Sequence, residues 1–156
     1  MPPITLEAIE AKQTELSQLI AKFKEQPIPT KQFSVPAVNI ELHPGEHYAG
    51  QVLDEFGDVI HGLVLMAQRP TDKLNWQAAM DWAQRMGGSL PTRQEQSLLF
   101  ANCKPHLEPV WHWSSEEHEE EASYAWYCFF YDGYVGYHLK SFEGSAVAVR
   151  LIPITA

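Results

Sequence analysis

The run Tyr124–Lys140 constrains this chain most, because two strand-like segments, Tyr124–Tyr131 and Tyr134–Lys140, flank Asp132-Gly133. An Asp-Gly pair supplies the positive φ that a tight hairpin turn needs, so the two segments are paired locally. In the first segment Trp126, Cys128 and Phe130 alternate with Tyr127, Phe129 and Tyr131, so both faces are apolar. Such a strand is either central in its sheet or meets a ligand or another subunit on one side.

The elements before it predict an α+β order. Val38–Leu42 alternates like a strand, and His43-Pro44-Gly45-Glu46 is a turn. Tyr48–Leu53 and Val59–Met66 flank the five residues Asp54–Asp58, which predicts a hairpin. Asn75 caps a helix through Met86, with Trp76, Ala79, Met80 and Ala83 on its inner stripe and Gly87-Gly88 at its end. Thr92 and Glu95 form a capping box for a helix running to about Asn102, which buries Leu98, Leu99 and Phe100. A short strand Val110–Ser114, an acidic loop Glu116–Glu121, the hairpin and a closing strand Ser145–Ile152 complete the chain.

Upstream, Thr5–Gln26 predicts a capped helix with one apolar stripe of Leu6, Ile9, Leu16, Leu19, Ile20 and Phe23. A lone helix of this length is marginal in water, so the stripe packs on the domain or on copies of itself. Pro27, Pro29 and Pro36 form a stiff spacer, which favours self-pairing as a coiled-coil homodimer or homotrimer. The expected plan is a helix (1–26), a proline-rich linker (27–37) and one domain (38–156).

The 156 residues, 45% of them hydrophobic, suffice for one core. The net charge of -9 excludes nucleic acid and anionic membrane as main partners, because both need a positive patch. The two cysteines, Cys103 and Cys128, fit neither a disulfide framework nor a CxxC motif, and a bridge between them is left open. No run reaches the roughly 18 apolar residues of a membrane span. The start lacks the basic and apolar regions of a signal peptide, so the expected location is the cytoplasm of the producing cell, with a virion as the alternative.

Several pieces occur in a recognisable order: Gly88-Ser89-Leu90-Pro91-Thr92-Arg93-Gln94-Glu95, Trp113-Ser114-Ser115, Ala125-Trp126, Asp132-Gly133 and Ala148-Val149-Arg150. The order resembles the Lcl C-terminal domain family, also called DUF1566, over roughly Tyr48 to Ile152. The resemblance implies a C-type-lectin-like domain, with two helices and a small antiparallel sheet. It further implies a binding module of the phage or prophage type, related to phage receptor-binding domains and to formylglycine-generating sulfatase activators. The copper chemistry of those activators needs a cysteine motif that neither Cys103 nor Cys128 matches. The calcium triplets of lectins are also missing, at Glu108-Pro109-Val110 and Trp113-Ser114-Ser115.

Trp113 and Trp126 are expected in the core, whereas one of Trp111 and His112 must face outward, so both count as candidate partner-binding residues. Tyr131, Tyr134, Tyr137 and His138 gather near the Asp132 turn as the first candidate recognition surface, because tyrosine makes adaptable contacts at low entropic cost. Glu117 and His118 on the acidic loop extend it. The histidines and acids match no metal pattern, so no metal, cofactor or catalytic residue is assigned. Arg150 is expected to pair with a buried acid such as Glu95. The functional expectation is a non-catalytic binding protein for a host protein or glycan, either an adhesin or an intracellular, anti-defence inhibitor of a host factor. A metal-dependent enzyme using His112, His118 and nearby acids, and a structural virion component, are the alternatives.

Overall fold

A computed structural model describes residues 2–154, which divide into two units between Val35 and Pro36. The first unit holds α1 (Leu6–Glu25), which Thr5 caps by accepting the Ala8 amide at 3.2 Å. No residue of α1 is buried, and its stripe is open to solvent, with Leu16 at 58% and Leu19 at 57% exposure. No helix among the described residues is long and apolar enough to cross a membrane.

The second unit is α+β and contains two three-stranded antiparallel sheets. The first sheet has the order β1 (His47–Leu53), β2 (Val59–Leu65), β6 (Val149–Pro153). The second has the order β3 (Trp111–Glu117), β4 (Tyr124–Phe129), β5 (Tyr134–Leu139). Between them in sequence lie α2 (Trp76–Arg85) and α3 (Arg93–Asn102), capped by Asn75 and by the Thr92–Glu95 box as the sequence predicts. Leu63, Leu65, Leu99, Phe130 and Val149 belong to one core cluster, where α3 meets both sheets. Trp76, Ala79, Ala83, Trp113, Ala146 and Ala148 belong to the other, under α2.

Four expectations need correction. Val38–Leu42 is not a strand; Arg150 instead ties this stretch down by donating to the Glu41 carbonyl at 2.6 Å. Arg150 pairs with Glu46 (2.8 and 3.0 Å) rather than Glu95, because β6 runs beside β2 and begins near the turn that carries Glu46. Glu46 also accepts the His43 amide, and Arg150 holds its carboxyl below the usual range although burial opposes this. The closing strand begins at Val149 and not at Ser145, since residues 144–148 spend their hydrogen bonds on several different segments. Finally, the β4–β5 turn spans four residues, Phe130 to Gly133, with Gly133 at φ +83° receiving the reversal that only a left-handed residue makes there.

Candidate functional site

The β3–β4–β5 sheet carries aromatic side chains on both faces, and their surroundings differ. Cross-strand register places Trp111, Trp113, Tyr127, Phe129, Tyr134 and His138 on one face. Trp113 is fully buried there, and its indole donates to the Leu74 carbonyl at 2.9 Å. Trp111 meets Trp113 edge-on at 4.9 Å and packs near Tyr127, His138 and Phe142. Trp111 and His138 are therefore half-buried members of a packed ring cluster and are not displayed for a partner.

The opposite face changes along its length. At one end His112 and Cys128 are buried against Phe130 and Leu99. At the other, Tyr124, Trp126, Tyr137 and His118 form a continuous aromatic surface. His118 stacks on Trp126 at 5.1 Å and abuts Tyr137 at 4.5 Å. Tyr137 stands edge-on to both Trp126 and Tyr124. Val135, Tyr137 and Leu139 line the exposed side of β5, with Tyr137 at 50% exposure.

Arg93, the first residue of α3, lies over this surface with its guanidinium 4.3 Å from the Trp126 ring centre. Such a contact is worth about 0.5–2 kcal/mol depending on desolvation. The guanidinium is fixed by Glu116 at 3.1 and 3.3 Å and by Glu119 at 2.7 Å. Glu116 also accepts the Arg93 amide at 2.7 Å; although burial pulls the other way, these contacts hold its carboxyl below the usual range. Glu117 is exposed and pairs with Lys140 at 3.0 Å. The acidic loop is thus partly committed to cations of the domain, and His118 Nδ1 accepts its Glu120 and Glu121 amides.

Of the residues expected at a recognition surface, His118 and Tyr137 come together, with Glu117 at their edge. Tyr134 points to the other face, since an odd spacing along a strand reverses direction. It is 61% exposed and sits near Tyr127, while Tyr131 at the turn is 65% exposed. Both lie apart from the Tyr137 surface. His112 is 3% exposed and is not presented at all. Trp126 is half-buried rather than in the core, packed against Arg93, His118 and Tyr137. Arg93, Tyr124 and Trp126 were missed as surface residues. The matching parity of Tyr124 and Trp126 was legible in sequence, but the β4–β5 register that opposes them to Leu139 and Tyr137 was not.

Cys103 and Cys128 are free and buried; burial raises both thiols, Cys128 to about 11, so they stay protonated at neutral pH. His112 and His118, paired in the metal-enzyme alternative, sit in different surroundings. Among the described residues, no group of three or more His, Cys, Asp or Glu side chains is arranged to hold a metal ion. No protein-family model and no curated protein matches the chain.

The buried imidazole of His112 makes a measurable signature. Burial pushes its pKa from 6.5 down to about 4, with a smaller contribution from the Arg69 charge and an opposing one from the Val110 carbonyl. Between those values the unfolded chain binds a proton that the folded protein does not. Stability is therefore unaffected above pH 6.5 and falls as the pH drops through this window. Urea unfolding at pH 8 and pH 5 should differ by about 2 kcal/mol from this group, and the difference should shrink by that amount in His112→Gln.

Proposed function

We propose that this chain is a non-catalytic recognition protein of the phage or prophage type, built on a C-type-lectin-like domain, that binds a protein of the bacterial host. The lectin-like assignment rests on the ordered motifs shared with the Lcl C-terminal domain family. The α+β element order, with two helices preceding a strand meander, supports it. On this reading the protein acts in the cytoplasm of the producing cell or as part of a virion.

The observation that carries the binding reading is the continuous set of Tyr124, Trp126, Tyr137 and His118 under a pinned Arg93. Trp, Tyr and Arg dominate the energetic centres of protein interfaces. Here the rings already support one another, and two carboxylates hold the cation, so little order remains to be imposed on association. Charged groups at Glu117 and Lys140 border the set, as a polar rim borders an interface core. A glycan would use the same rings but would depend more on hydroxyl-directed hydrogen bonds.

The α1 helix supplies the second part of the proposal. Its stripe of Leu6, Ile9, Leu16, Leu19, Ile20 and Phe23 is exposed at every position, and burying it against copies of itself removes that area from water. The self-paired helices would present two or three recognition domains together, which raises avidity without new contacts.

Two measurements test these parts. Full-length protein should retain a defined host protein on an array of host proteins and purified glycans. Tyr137→Ala and Trp126→Ala should each weaken that binding by roughly 30-fold, the equivalent of about 2 kcal/mol. Selective binding to glycans, or binding indifferent to both substitutions, contradicts the reading. Sedimentation equilibrium should find the full-length chain dimeric or trimeric and the Leu16→Glu/Ile20→Glu chain monomeric. A monomeric parent contradicts the role given to α1.

A further inference from the structure

A second site lies away from the aromatic surface. The segment between β2 and α2 borders a cavity of about 190 Å³ whose lining includes Arg69, Asp72, Lys73, Glu108, Ser145 and His112. Five of these side chains are exposed or half-buried, but His112 is 97% buried by its 3% exposure and forms an inner wall. Its Nδ1 lies 2.9 Å from the Val110 carbonyl oxygen. A carbonyl only accepts, so Nδ1 carries the proton and Nε2 of the neutral ring is left with a lone pair. Nε2 is not among the sealed, unpaired polar atoms of the described residues, which belong to Gln96, Trp126 and His138, and His112 lines the cavity.

The walls define what such an acceptor can receive. Arg69 is held in place by donating to the Met66, Gln68 and His106 carbonyls at 2.6, 2.9 and 3.3 Å. Its charge and that of Lys73 are matched by Asp72 and Glu108, so the rim has no net charge although the chain carries -9. A full anion or cation gains little there. A ligand that both donates to Nε2 and the carboxylates and accepts from the cations fits every wall, and hydroxyl groups do both. Burial keeps the imidazole neutral at physiological pH, which preserves the acceptor. The cavity, about 190 Å³, has room for one small molecule.

We propose that this cavity binds one small, neutral, polyhydroxylated molecule, one hydroxyl of which donates to His112 Nε2. The site is independent of the aromatic surface and stands or falls separately from the protein-binding reading.

The test is a titration of full-length, ¹⁵N-labelled protein at pH 7 with erythritol, xylitol and glucose, and with propionate and methylammonium as charged controls. At least one neutral polyol should shift His112 Nε2 saturably, together with the Ser145 and Asp72 amides, and the charged controls should not. Thr71 is exposed and also lines the cavity, so Thr71→Trp obstructs the site without touching the core. That variant should fold normally and bind at least about tenfold more weakly. Absence of a saturable shift with any polyol means that the cavity holds only water and overturns the proposal. An equal response to the charged controls, or undiminished binding in folded Thr71→Trp, overturns it as well.

Discussion

The domain depends on one short run of chain, residues 144–149, whose backbone is hydrogen-bonded to four separate segments. Gly144 and Leu74 exchange amide–carbonyl bonds at 2.8 Å each, and Val149 and Ser89 do the same at 2.8 and 2.9 Å. The Trp113 amide donates to Ser145, and the Met66 amide donates to Ala148, both at 3.0 Å. Buried amides and carbonyls must be paired, so this run can be interior only because strands and loops of both sheets meet it. Its side chains obey the same restriction. Ala146 and Ala148 leave room for Trp76 and Trp113 in one cluster, while Val147 and Val149 face the other. A Cβ at Gly144 would overlap the Trp111 ring.

Joining the sheets in this way leaves their outer regions unequal. The inner end of the β3–β4–β5 sheet is covered by α3 and the residues around Phe130. The outer end extends beyond that cover, and Arg93 is the one α3 side chain pinned over its rings. The polyol cavity is rooted in the same seam, because His112 and Ser145 are bridged in parallel and both line it. The two proposed sites thus use different products of one packing solution: an uncovered aromatic surface and an acceptor on a rigid wall.

Local signals in the sequence carried the elements well. The Asp54–Asp58 loop, the Asn75 cap, the Thr92–Glu95 box and the strands around Asp132-Gly133 follow from short-range chemistry, and each is present. What failed was non-local. Val38–Leu42 alternates correctly but has no partner strand. Residues 145–148 look like a strand, yet their bonds go to separate segments, Ser145 to Trp113 of β3 and Ala148 to Met66. Arg150 was matched with the wrong acid because only the β2–β6 register brings it to Glu46. The candidate surface was half legible: Tyr137 and His118 were identified, but Trp126 was assigned to the core. Its partial exposure depends on where α3 stops covering the sheet, and no local pattern encodes that.

On the proposed reading, the exposed side of β5 serves recognition and not folding. Equilibrium urea unfolding of a Val135→Thr/Tyr137→Thr/Leu139→Thr variant tests it most directly, since threonine preserves strand propensity while removing the apolar surface. The expected loss is at most about 2 kcal/mol, the scale of the edge-on contacts that Tyr137 makes with His118, Trp126 and Tyr124. A loss of more than about 2 kcal/mol would mean that these side chains hold the sheet together, and would contradict it.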